Sequence, residues 1–165
     1  PKTPTLAQRV QRMEDESTIR RMLVQYGAYL DARDFAGYSG LFAAQGEWVG
    51  GFGAFKGPAA IRKMLEDNLG KPEPGWTNKS SFHLLSNPLI EIDGDVAHSE
   101  TYNIGLFLDP GGQTARVLAG RYIDRLERRG GEWKIVLRRA TVEVAMEGKA
   151  ILPNGSTPHS SRIRV

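Results

Sequence analysis

Few side chains in this chain can move a proton near neutral pH: it has three histidines and no cysteine. His83 sits in the apolar run Phe82-His83-Leu84-Leu85, where water is scarce and an imidazole must find a partner. A structural bond to backbone is one outcome there, and acid–base work is the other. Asp31 lies near the end of a helical segment, in Tyr29-Leu30-Asp31-Ala32-Arg33-Asp34. At about 100° per residue it stands about 120° from the centre of that segment's apolar stripe. Periodicity alone therefore leaves it a solvated acid beside Arg33. His98, between Ala97 and Ser99, and His159, in the C-terminal tail, are read as non-catalytic.

These residues depend on the elements that carry them. From Thr5 to about Arg33, Ile19, Met22, Leu23, Tyr26 and Leu30 recur at three- and four-residue steps, which predicts a long helix. Asp15 and Ser17 offer capping chemistry that would divide it. Asp34 can cap a short second helix through Tyr38, Leu41 and Phe42, ended by Gly46, with Glu47-Trp48-Val49 as a strand. Gly50-Gly51-Phe52-Gly53-Ala54-Phe55 reads as a flexible loop. Gly57-Pro58 opens a third helix with Ile61, Met64, Leu65 and Leu69 in phase, stopped by Gly70, and Lys71 to Asn78 forms a loop. The period then changes to two. Ser81 to Ile92, Val96 to Leu108, Ala115 to Leu126 and Trp133 to Val144 are strand-like, joined by short Gly- and Asp-rich turns. Helices first and an antiparallel meander after them give an α+β class, a strongly bent sheet with helices on one face.

The 165 residues make one domain, with 40% apolar and 25% charged residues. Residues 1–145 are assigned to it, and 146–165 to a tail that is a frayed end, a lid or a dimer arm. No run reaches the roughly 18 to 20 apolar residues of a bilayer span, and the N-terminus lacks a signal-peptide core, so the expected address is cytoplasmic with no membrane partner. The absence of cysteine excludes disulfides, Cys-ligated zinc, iron–sulfur clusters and thiol nucleophiles. Without a His-x-x-x-His or Glu-x-x-His cluster there is no ready metal-ligand set, and neither a Walker loop nor a Gly-x-Ser-x-Gly elbow occurs. The net charge of +3 raises the question of nucleic acid. Its basic excess, Arg121, Arg125, Arg128, Arg129, Lys134, Arg138 and Arg139, is interleaved with Asp124, Glu127 and Glu132, the pattern of a solvated sheet face, and no nucleic-acid partner is expected.

In order and spacing, the chain from about residue 5 to 144 resembles the SnoaL-like branch of the nuclear transport factor two-like, cystatin-like α+β superfamily. The stretches that carry the resemblance include Ile19 to Tyr26, Leu30-Asp31-Ala32-Arg33-Asp34-Phe35, Glu47-Trp48, Gly57 to Arg62, His83-Leu84-Leu85-Ser86-Asn87-Pro88, Gly120 to Leu126 and Gly131-Glu132-Trp133-Lys134-Ile135. The resemblance implies a cone-shaped barrel of strongly curved, mostly antiparallel mixed sheet. Three helices from the N-terminal half pack on it and enclose one cavity for a small, often aromatic molecule, and homodimers or higher homo-oligomers form through the outer sheet.

Within that superfamily the pattern is most similar to scytalone dehydratase and its relatives, which use an Asp–His pair without metal or organic cofactor. Asp31 and His83 match that pair. Leu30, and Trp48 or Val49, stand where the dehydratase pattern has tyrosines. The remaining phenols are Tyr26, in the helix stripe, and Tyr102 and Tyr122 on strands; either of the last two would hold a leaving hydroxyl or an enolate-like oxyanion. Trp48 and Phe52 are expected to stack on an aromatic ligand. Asn87 shares the strand face of His83 if the strand stays regular past Pro88.

The expectation is a cofactor-independent lyase, either a dehydratase or a retro-aldol-type C–C lyase, or an isomerase, acting on a small hydroxylated aromatic or polyketide-like molecule. The alternatives are a non-catalytic small-molecule binding or protein-interaction module, or the small subunit of a ring-hydroxylating oxygenase.

Overall fold

A computed structural model describes residues 3–151; the tail beyond, with His159, lies outside the described residues. Helix α1 (Leu6–Ala32) begins at a capping box, in which the Thr5 side chain accepts from the Gln8 N–H and the Gln8 side chain accepts from the Thr5 N–H. The helix runs unbroken. Asp15 does not cap a second segment, because its carboxylate turns inward to Arg128 and Trp133. Ile19, Met22, Leu23, Tyr26 and Leu30 are buried along the predicted stripe. The helix closes with Arg33 in the left-handed region, whose N–H donates back to the Leu30 carbonyl.

Asp34 caps α2 (Phe35–Gly40) by accepting from the Gly37 N–H at 2.8 Å. Gly46 is not the stop of this helix. It lies inside β1 (Phe42–Gly50), where a Cβ would stand 2.6 Å from the Ile135 carbonyl oxygen. The expected loop after it is partly a hairpin, since β2 (Gly53–Lys56) folds back on β1 and sets Trp48 opposite Phe55. Helix α3 (Pro58–Leu69) has Pro in its first turn and ends at Gly70, as its pattern predicts.

Four long strands follow: β3 (Ser81–Asp93), β4 (Val96–Leu108), β5 (Thr114–Arg129) and β6 (Glu132–Ala140). The run expected to continue to Val144 breaks after Ala140, and β7 (Val144–Lys149) extends into residues 146–149 of the expected tail. The sheet order is β2-β1-β6-β5-β4-β3, with β7 on β5; only the β1–β6 pair is parallel. The second half of β5 pairs with β6 and its first half with β7, so one long strand is served by two partners along one edge. Gly120 sits at the changeover, where a Cβ would come within 2.0 Å of the Thr141 carbonyl oxygen, an approach only glycine permits.

The result is an α+β protein with three helices on a seven-strand, mostly antiparallel mixed sheet that is curled and left open, β2 and β3 being its edges. The core joins the α1 stripe and α2 and α3 side chains to Trp48, Ala97, Tyr122, Leu126, Trp133 and Ile135. Arg138 and Asp124 do not belong to a solvated face. Their side chains are 0% exposed and form an ion pair inside the core. A single extra residue, Val136, shifts the β5–β6 register and turns Arg138 to the inward face. No helix among the described residues is long and apolar enough to cross a membrane.

Candidate active site

The last turn of α1 packs on the first half of β3, and Gly27 permits the approach: a Cβ there would meet Leu85 Cδ1 at 2.7 Å and His83 Cβ at 3.6 Å. Asp31, one turn further along, reaches His83 at two points. Its Oδ2 accepts from the His83 backbone N–H at 3.0 Å, and its Oδ1 lies 2.7 Å from ring Nδ1. An ionised carboxylate only accepts, so Nδ1 carries a proton, and whenever the ring holds one proton the lone pair is on Nε2. Nε2 has no hydrogen-bond partner among the described residues and is not sealed from solvent. The pair is largely shielded, with side-chain exposures of 10% for His83 and 23% for Asp31. Phe107 meets the imidazole edge-on at a centroid distance of 5.4 Å, its ring folded over Gly105, the residue paired with His83 on β4.

Phe107 also lines a cavity of about 640 Å³ with Phe52, Leu69, Leu118 and the rim residues Arg116 and Glu147. Phe107 thus touches both this cavity and the imidazole, while His83 itself is not among the cavity's lining residues. A second cavity, of about 890 Å³, lies between the first half of α1 and the β5–β6 turn. Its one buried acid, Asp15, accepts from Gln11, Trp133 and one terminal nitrogen of Arg128 at Oδ1 and from the other terminal nitrogen of Arg128 at Oδ2, so its charge is already paired. These donors, Arg128 foremost, hold its carboxyl below the usual range.

Beyond the dyad, deeper in the core, lies an aromatic and polar cluster. Tyr26 and Tyr38 share a hydrogen bond through their hydroxyls, and Trp48 donates its indole N–H to Tyr26 Oη at 3.1 Å. The Arg138 guanidinium lies over the Tyr26 ring at 3.7 Å and the Tyr122 ring at 4.5 Å, while Asp124 accepts from its Nε and Nη2. Burial, and then the neighbouring Tyr26, push the phenols of Tyr38 and Tyr122 well up, so both remain protonated. Burial opposes the charge on Arg138, but Asp124 outweighs it and the guanidinium stays ionised.

The structure brings Asp31 and His83 together and places Tyr26, Trp48 and Tyr122 in one buried cluster. Phe52 stands at the hairpin tip, 53% exposed, stacked on Trp48 and lining the mouth. Two expectations fail. Tyr102 points to the outer face of the sheet, 53% exposed, because it alternates with the inward Thr101 and Asn103. Asn87 is exposed and left-handed at a bulge between Ser86 and Leu89, so the strand does not stay regular past Pro88. Sequence reasoning missed Arg138, Asp124, Thr101 and Asn103. Alternation with Tyr122 and Leu126 signals an inward Asp124, whereas nothing local marks the bulge that turns Arg138.

A family model described as a SnoaL-like domain matches residues 11–139. No curated protein matches the chain. Among solved structures, a hexachlorocyclohexane dehydrochlorinase, LinA type 2, superposes with a TM-score of 0.76 at 20% identity, covering 89% of this chain and 99% of that one. A Novosphingobium aromaticivorans protein named "Putative Scytalone Dehydratase" gives 0.70 at 21% identity, covering 88% and 97%. An NTF2-like protein with a cystatin-like fold from the same organism gives 0.70 at 25%, covering 84% and 88%.

Proposed function

The chain belongs to the SnoaL-like domain family, and on that premise we propose that it is a cofactor-independent lyase or isomerase working by proton transfer on a small hydroxylated aromatic or polyketide-like molecule. One observation carries this reading: Asp31 grips both the backbone and Nδ1 of His83 and leaves Nε2 without a protein partner. Asp31 fixes the tautomer and stabilises the imidazolium that forms when Nε2 takes a proton. In a dehydration, Nε2 takes a proton from the carbon beside a hydroxyl-bearing carbon. The C–H electron pair becomes the new C=C bond as the C–O bond breaks, and the same proton returns to the departing oxygen as water forms. In an isomerisation the proton returns to a different carbon. Neither step needs an electron acceptor. Two structural neighbours carry names of eliminations, a dehydrochlorinase and a dehydratase, which begin with the same need for a placed base.

The mouth lined by Phe52, Leu69, Phe107 and Leu118 suits an aromatic ligand, and Tyr122, held protonated, keeps an O–H to donate. Turnover of hydroxylated aromatic and polyketide-like compounds by the chelator-treated protein, lost in His83→Ala and Asp31→Asn, supports the dyad. Saturable binding without turnover, equal in both variants, makes the protein a carrier instead.

We also propose a homo-oligomer. Phe82, Leu84, Ile104 and Leu106 are exposed on the outer face of β3 and β4, and Val117 and Ala119 of β5 carry that face across to the exposed Val144 and Met146 of β7, an apolar area that a second copy of this chain would cover.

A further inference from the structure

The inward face of β4 is polar where a core strand is usually apolar. Ser99, Thr101 and Asn103 alternate inward on it, and Gly105 follows opposite His83. Ser99 is bonded to Asp124. Thr101 Oγ1 and Asn103 Oδ1 are sealed from solvent and hydrogen-bond nothing among the described residues, although Thr101 is 1% exposed. Their cross-strand neighbours do not supply a partner: Asn103 faces Leu85 and Gly120, and Thr101 faces the Tyr122 ring. A hydroxyl and an amide buried in this way destabilise the free protein relative to a Val–Leu pair of the same shape. The two groups are consecutive on one face of one strand, and they lead away from the residue opposite the dyad.

We propose that Thr101 and Asn103 receive an oxygen of the substrate, so that the substrate is a neutral molecule with a hydroxyl about 7 to 13 Å from the atom on which His83 acts. The proposal rests on the assignment of His83 as the proton shuttle. The distance follows from the register: Asn103 is two strand residues beyond Gly105, and Thr101 four. The charge type follows from the surroundings. Beyond Thr101 lie Asp124 and Arg138, whose charges cancel through two hydrogen bonds; Arg138 Nη1 is sealed and unpartnered among the described residues as well, a donor that an oxygen would also serve, and because the pair carries no net charge and neither Thr101 nor Asn103 is ionised, the position as a whole suits a neutral group. Asn103 Oδ1 accepts and the Thr101 hydroxyl donates or accepts, which suits an alcohol or a phenol that gives its O–H to Asn103. A halogen at the same position would leave both groups unpaired, so Thr101 and Asn103 select for oxygenated ligands over halogenated hydrocarbons of the same shape.

Two rigid probes test this, 2,7-dihydroxynaphthalene and 2-naphthol, with binding to the full chain followed by tryptophan fluorescence. The wild type is expected to bind the diol at least tenfold more tightly. The Thr101→Val/Asn103→Leu variant should hold 2-naphthol as the wild type does and lose the preference for the diol. Thr101→Val alone, a near-isosteric change that preserves folding, should reduce the preference at least threefold. His83→Ala should keep it, because the second oxygen is read elsewhere. Equal binding of the two probes by the wild type, a preference that survives in both Thr101 variants, or binding of neither probe at millimolar concentration overturns the proposal. A diol preference that depends on Thr101 and Asn103 in a protein that turns over no compound would retire the lyase assignment and leave only the two residues' reading of a ligand oxygen standing. Turnover that depends on His83 without any diol preference would do the reverse.

Discussion

Asp31 holds His83 by two separate bonds, one to the backbone N–H and one to the ring, although 52 residues separate them in the chain. The first fixes where β3 starts relative to the end of α1, and the second fixes which nitrogen of the imidazole is free. A packing contact between helix and strand thus sets a protonation geometry.

Asp31→Asn separates those two duties. An amide oxygen can still accept from one of the two N–H groups, but the amide nitrogen opposes the other and favours the wrong tautomer. Turnover is expected to fall about 10²- to 10⁴-fold, the usual worth of a placed acid–base group, with little change in melting temperature. Steady-state kinetics alongside thermal melts check this.

The Asp124–Arg138 pair is fully buried, so removing one partner strands the other. Asp124→Asn or Arg138→Met should cost about 3–5 kcal/mol in urea unfolding, and replacing both by apolar residues should recover most of that. A loss below about 1 kcal/mol for either single variant would show that the pair is not sealed.

Acid should loosen the far end of α1. Arg128, chiefly, lowers the Asp15 carboxyl in the folded state, so the contact stabilises the fold fully above the unfolded value of about 3.9. It is lost as pH falls through the lower folded value. Thermal melts between pH 7 and pH 2 should show a steeper acid decline for the wild type than for Asp15→Asn; parallel curves would remove Asp15 from the account.

Charge placed on the outer sheet should keep copies apart. Ile104→Glu with Leu84→Lys, on paired positions of β4 and β3, is expected to yield a monomer in sedimentation experiments where the wild type is larger. A wild type that already sediments as a monomer contradicts assembly through this face.

Much of this architecture is written locally. The Ile19 to Leu30 stripe, the Asp34 cap, Gly57-Pro58 and the Gly-rich turns name their elements because short-range geometry decides them. Two bulges escape such reading. One throws Asn87 out to solvent and the other, at Val136, draws Arg138 in, and each inverts an alternation that the sequence alone makes look regular. Strand β2 looks like a loop because glycines surround it, and β7 looks like tail because all of its residues are exposed. Asp31 and His83 look like an exposed acid and an isolated core histidine; family resemblance pairs them in the sequence, and the fold brings them into contact.

The most direct measurement is chemical rescue on whichever compound the wild type converts. With His83→Ala, added imidazole should restore a measurable part of the lost kcat, while Asp31→Asn should gain nothing from it. Wild-type rates in both variants without imidazole would show that the Asp31–His83 pair holds the fold and moves no proton.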